Sequence, residues 1–320
     1  MWIIGIDEAG YGPNFGPFVM TSVACRVPDP CAHANLWNLL HPAVRQSEDA
    51  DERKLLIDDS KRVYTVHGLV GLERGVLAML AASASQRLPA SLAALVDWAC
   101  PEDDAELRRE IWYRGVQSLP IHLVSAEVGP WAARFQDACV AVNVEGWHVR
   151  SAVICPGRFN SLLDEGGTKG HVLAHALACL LRWQRSNLPG EDDLAFFIDK
   201  HGGRNTYAAM IHHALPDGIV CAERESMACS SYRVEGLERG VRLIFQPRAD
   251  GEHFCVALAS MASKYLREVL MLEFNRFWQE HVPDLKPTAG YPGDAARFLQ
   301  AIRQTIEKLG LCEETLWRRK

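Results

Sequence analysis

The sequence predicts an α/β fold, a mixed central β-sheet flanked by helices with an inserted α/β segment. Three observations predict it. The first part of the chain is rich in short apolar runs of strand type, and the later part alternates strand-like with helix-like segments. Two of the apolar runs, ending at Asp7 and Asp199, finish in an acid and pass at once into a glycine-containing loop.

In chain order, residues 2–7 and 17–26 read as an antiparallel pair of strands joined by a glycine loop. Leu55 to Lys61 ends in polar turn residues, and Val63 to Ala84 then has helical spacing at Val66, Leu69, Val70, Leu77 and Leu80. Helices are predicted over 89–99 and 102–116, a strand over Ile121 to Val128, and a hairpin over Cys139 to Cys155 that turns at Glu145-Gly146. Residues 160–186 read as one long helix, capped by Asn160 or Ser161 and closed before Pro189. Leu194 to Asp199 is a short strand, followed by the loop Lys200 to Asn205 and a helix to about 215. Strands at 218–224 and 240–247 follow, then helices at 252–280 and 292–309. The whole, 1–320, reads as a single domain with 85–155 as an insertion of different texture.

Composition narrows the class. Hydrophobic content of 48% and charged content of 23% are ordinary for a globular protein. A net charge of −6 means that a nucleic-acid partner has to meet a local basic surface. The 10 cysteines contain no CxxC pair and no zinc-type spacing, which fits a reducing compartment. Asp7 cuts the N-terminal apolar run too short for a signal peptide, and no stretch reaches bilayer-spanning length. The expectation is a cytoplasmic protein with no membrane partner.

Chemistry concentrates at residues 5–17, Gly-Ile-Asp-Glu-Ala-Gly-Tyr-Gly-Pro-Asn-Phe-Gly-Pro. Carboxylates at the ends of adjacent strands converge where open α/β sheets bind ligands. Several such oxygens are what two-metal phosphoryl chemistry needs, because Mg²⁺ is hard and takes oxygen ligands. An acid at a strand end is otherwise a turn or cap residue. The pairing of Asp7 with Glu8 argues against that, since neighbours on a strand face opposite ways. Gly10 and Gly12 allow backbone amides to approach a phosphate or a ribose hydroxyl. There is no Gly-Lys-Ser/Thr, GxGxxG, GxSxG or HExxH motif. His201, beside Asp199, is a candidate for contacting water or phosphate, whereas His212 and His213 point in different directions. Arg318-Arg319-Lys320 reads as a solvated tail.

These motifs resemble type 2 ribonucleases H, the ribonuclease HII and HIII family. Residues 5–17 look like its first motif and Asp58-Asp59-Ser60-Lys61 like its Asp-Ser-Lys motif. Phe197-Ile198-Asp199 resembles the strand with its third acid, Ala259 to Glu268 its later helix, and Gly290-Tyr291 its Gly-Tyr pair. The resemblance implies a ribonuclease H-like fold with Asp7, Glu8, Asp199 and Glu268 as catalytic, metal-binding acids. Glu268 stands where the family has aspartate. It further implies Gly10, Tyr11, Gly12, Lys61, Lys264 and Tyr291 at the substrate, with Lys61 and Lys264 contacting phosphate or holding the acids. The implied reaction is two-ion Mg²⁺ or Mn²⁺ hydrolysis of the RNA strand of an RNA–DNA hybrid or ribonucleotide-containing duplex, leaving 5′-phosphate and 3′-hydroxyl ends. Tyr11 departs from the pattern, because the family carries arginine or lysine between the two glycines. Tyr11 and Glu268 together keep open a nucleic-acid-binding protein with weak or no cleavage, and a DNA-structure-specific nuclease on the same fold is a third reading.

Overall fold

The computed structural model describes residues 1–31, 34–83, 88–100, 104–113 and 117–319. The chain builds a mixed seven-stranded sheet flanked by helices on both faces. Its strands are β1 (Trp2–Ala9), β2 (Phe18–Arg26), β3 (Glu145–Ile154), β4 (Leu194–Asp199), β5 (Ile219–Glu225), β6 (Ser230–Glu235) and β7 (Val241–Gln246). Their order across the sheet is β3-β2-β1-β4-β7-β6-β5. β1 and β2 pair antiparallel, as do β2 and β3, whereas β1, β4 and β7 run parallel at the centre.

Alternation along β1 divides the core. Ile3 faces a layer made by α1 (Ser60–Ser83), α2 (Leu92–Ala99), α3 (Ser125–Ala141) and α7 (Phe254–His281). Trp2, Ile4 and Ile6 face the layer made by α4 (Pro156–Gly166), α5 (Lys169–Asn187) and α6 (Ala208–Ala214). Gly5 is the contact point with α7, since a Cβ there would lie 2.1 Å from the carbonyl carbon of Cys255. A third apolar cluster joins Phe15, the end of α7 and α8 (Pro292–Lys308).

Several sequence expectations are corrected. The segment 85–155 is not an insertion up to its end, because β3 pairs with β2 along its length in the main sheet. Cys139 to Cys155 is accordingly no hairpin: α3 runs to Ala141 and one strand follows, with Gly146 at φ 64° near its start. Ile121 to Val128 is no strand either. Glu73 of α1 accepts hydrogen bonds from the amides of Ile121 (2.6 Å), His122 (2.8 Å) and Leu123 (3.1 Å), and helix begins at Ser125. Ladder pairing is forgone because a buried carboxylate takes those donors. The long helix predicted over 160–186 is two helices, since Gly167 adopts φ 69° and its amide closes α4 onto Leu163.

β6 was hidden by its polar sequence, Ser230-Ser231-Tyr232-Arg233. Of the helix predicted over 102–116, residues 101–103 and 114–116 lie outside those described, as do 85–87 of the expected insertion and Lys320 of the expected tail. Among the described residues one helix, Ser60–Ala82, is long and apolar enough to cross a membrane by length and composition. Its Leu72, Val76 and Leu77 are packed in the core instead.

Candidate active site

β1 and β4 are in register at Ile6 and Ile198, so the next residues, Asp7 and Asp199, stand side by side at the carboxyl end of β4, beyond which β1 runs on paired with β2 alone. β7 ends beside them, with Gln246 opposite Asp199. The chain then turns through Arg248, which is in the left-handed region at φ 58°, into a short helical turn, Ala249–Glu252. Ala249 donates its amide to Asp199 Oδ1 at 3.0 Å. That bond orients Asp199 and brings the neighbouring Asp250 to the same edge. Strained backbone of this kind persists only where the surroundings hold it.

The structure thus brings Asp7, Glu8 and Asp199 together and adds Asp250, which sequence reasoning missed. Burial, then the charge of Glu8, raises the Asp7 carboxyl well above its ordinary range, with Asp199 and Asp250 adding to it. Glu8 is pushed up to about 7 by burial and by Asp199. Asp250 is pushed up to about 6 by burial, Asp59 and Asp199. Asp199 is raised by burial and held back by the amides of Ala249, Arg248 and Lys200. Lys61, at the first turn of α1, is the cation whose charge acts on Glu8, Asp199 and Asp250. Asp7 is held from α7, where Ser263 donates to its carbonyl at 2.9 Å, while the Ser260 hydroxyl one turn earlier donates to Ser60 Oγ at 3.0 Å.

This donor set suits a divalent cation. All four groups are hard oxygen donors that repel one another, and the charge of Lys61 acts on three of them, Glu8, Asp199 and Asp250. Among the described residues no three histidine, cysteine or acidic side chains are already gathered as a ligand cage. The carboxylates feel one another's charge without being closed around a point.

Glu268 is engaged by cations of its own helix and by Tyr64. Its Oε1 is 2.5 Å from Lys264 Nζ and 3.3 Å from Arg267 Nη1, and Tyr64 donates to Oε2. Lys264 is therefore spent on Glu268, with its Nζ also 4.6 Å from the Tyr64 ring centre. A signal for Asp250 is present in the sequence: an apolar strand followed by an acid, as at Asp7 and Asp199. Here the acid stands four residues after Gln246 rather than at the strand end.

The glycine loop is fixed from two sides. Gly10 takes φ 85° and lies so close to α7 that a Cβ would meet Arg267 Nε at 2.5 Å, whereas Gly12 keeps out of the left-handed region and faces open space. Gly290 accepts from the amides of Asn14 (2.7 Å) and Phe15 (3.3 Å), which sets the exposed Tyr291 beside the loop. Arg318 does the rest, and the expected solvated tail is a strap. The Arg318 side chain is 1% exposed; it donates to the Pro13 carbonyl from Nη2 and to the Asn14 carbonyl from its amide at 2.8 Å. Asn14 returns a bond to the Arg318 carbonyl at 3.0 Å, and Trp317 meets Phe15 edge-on at 5.3 Å. Deleting 317–320 is expected to speed amide exchange across residues 10–16 and lower stability by about 3 kcal/mol or more. Unchanged protection there would refute the strap.

His201 does not reach out to a ligand. It is buried against Tyr207 and Phe245 at ring distances of 5.8 and 6.4 Å, and burial pushes it down to about 4. Lys200 is likewise committed, donating to Asn205 Oδ1 (2.9 Å) and the Ser226 carbonyl (2.6 Å).

No protein-family model matches the chain, and no curated protein does. Solved structures do match. Ribonuclease HII of Archaeoglobus fulgidus, solved in complex with PCNA, aligns over 100% of this chain and 95% of its own, at a TM-score of 0.42 and 14% identity. Ribonuclease H2 of Pyrococcus horikoshii OT3 aligns over 99% and 92%, at 0.42 and 12%. Aquifex aeolicus ribonuclease H3 aligns over 99% and 71%, at 0.46 and 13%. Each is a protein to which this chain is similar; at these identities the chemistry of the site has to come from its own residues.

Proposed function

We propose that the chain is a metal-dependent ribonuclease H-type nuclease that hydrolyses the RNA strand of RNA–DNA hybrids or cuts ribonucleotide-containing duplexes. What supports this is the register that sets Asp7 and Asp199 side by side on adjacent parallel strands, with Glu8 and Asp250 near enough for their charges to act on the same acids. Those four carboxylates would hold the Mg²⁺ or Mn²⁺ ions. When bound, such ions supply an activated water and stabilise the leaving oxygen.

The chain's own groups do the rest. Ser263 holds Asp7, the Ala249 amide orients Asp199, and Lys61 places positive charge beside Glu8, Asp199 and Asp250 where a phosphate would sit. The fixed glycine loop offers backbone amides to a 2′-hydroxyl, the group that distinguishes RNA from DNA.

The test is incubation with Mg²⁺ or Mn²⁺ and labelled hybrid, single-ribonucleotide duplex or plain DNA duplex, beside Asp7→Asn. Metal-dependent cutting of a ribonucleotide-containing substrate, lost in Asp7→Asn, is expected. Cutting of plain DNA alone would favour a structure-specific DNA nuclease. Tight binding with no cutting would favour a binding protein, the second reading that the uncharged Tyr11 supports.

A further inference from the structure

Beyond the acids, the same edge carries a side-chain group that the reaction as described does not use. Tyr11 projects from the glycine loop with 37% of its surface exposed, braced edge-on by Phe18 at 6.3 Å. Lys169 approaches it from α5, Nζ lying 5.6 Å from the Tyr11 ring centre and 6.0 Å from that of Phe159. The break at Gly167 is what starts α5 at this point. Arg204, on the loop after β4, comes in beside it. A Cβ on Gly170 would lie 2.9 Å from Arg204 Nη2, so the guanidinium rests against the first turn of α5. Arg204 is also near enough for its charge to act on the Tyr11 hydroxyl, as does that of Glu8.

An exposed aromatic face with two cations beside it, adjoining a carboxylate cluster, has a clear chemical match. Nucleic-acid strands offer flat bases or sugars to stack and phosphates to pair. Lys169 and Arg204 bring two positive charges to the side of the exposed Tyr11 ring, Lys169 over the ring and Arg204 against the first turn of α5.

We propose that Tyr11, Lys169 and Arg204 form a strand-binding edge in which a base or ribose packs on the Tyr11 ring and a flanking phosphate sits between the two cations. This rests on the nucleic-acid reading above. It also makes Tyr11 part of a different substrate grip from a charged glycine loop, with the positive charge supplied from α5 and the β4 loop.

The test measures binding rather than cleavage. Asp7→Asn protein with Mg²⁺ is titrated against a fluorescein-labelled RNA–DNA hybrid by anisotropy over a range of KCl concentrations. Lys169→Gln and Arg204→Gln should each flatten the slope of log K against log salt by about 0.9, the value for one lost phosphate contact on a duplex. The same slope gives an affinity loss of about eightfold at 0.1 M salt. Lys169→Arg should restore the slope, and Tyr11→Ala should weaken binding with the slope unchanged. Lys308→Gln, exposed on α8, serves as the charge control. Slopes in Lys169→Gln and Arg204→Gln equal to that of Lys308→Gln, with the parent still binding, would overturn the proposal alone. A parent that binds no nucleic acid would overturn the functional reading and the edge with it.

Discussion

Asp250→Asn is expected to cost at least the roughly 10–100-fold in metal affinity that follows loss even of a group supporting a ligand, and cleavage should fall at least as far. Glu268→Gln should leave metal affinity within about threefold of the parent, because its carboxylate is engaged by Lys264 and Arg267. The contrast decides which acid completes the set. Asp250 acts on Asp7, Glu8 and Asp199 through its charge, and the amide before it is bonded to Asp199. Mn²⁺ titration followed by electron paramagnetic resonance reads the affinity without relying on turnover. The reverse ranking, with Glu268→Gln losing metal and Asp250→Asn keeping it, would return the fourth place to Glu268. Ala249→Pro is a useful companion: it removes the amide that orients Asp199 while leaving every carboxylate in place.

That contrast also marks how far the sequence could be read. Asp7 and Asp199 were legible because each ends an apolar run, and parallel register then sets them side by side. Asp250 was harder to read: an apolar strand precedes it, but its position depends on a left-handed Arg248 that swings the chain back after β7, and residue type does not announce that turn. Glu268 drew attention through its place in a motif, but a helix face does not reveal which way a long side chain turns when Lys264 and Arg267 compete for it. The central strands and the last two helices were legible from periodicity. Residues 121–154 were misread, because what sets them is a contact between distant parts of the chain. The burial of Arg318 is of the same kind, set by carbonyls some 300 positions earlier in sequence.

Glu73→Ala should destabilise the fold by about 3–5 kcal/mol, the range for breaking a buried charged hydrogen-bond set by removing one partner. Glu73 is fully buried in α1. Its two oxygens accept from the amides of Ile121, His122 and Leu123 and from the Tyr265 hydroxyl at 2.8 Å, joining α1 to the entry of α3 and to α7. Alanine leaves those donors without an acceptor and opens a cavity besides. Glutamine is no rescue, because its amide group turns a donor toward donors. Tyr265→Phe removes a single bond and should cost about 1–2 kcal/mol alone, and much less when Glu73 is already alanine. Chemical unfolding of the two single variants and the double closes the cycle. A loss under about 1 kcal/mol in Glu73→Ala would mean that the 121–123 segment is held by something other than this carboxylate. The consequence for the site is direct, since α7 carries Ser263, which donates to the Asp7 carbonyl. Loosening α7 at Tyr265 should therefore lower metal affinity as well as stability, a coupling that a purely local repair of the 121–123 loop would not show.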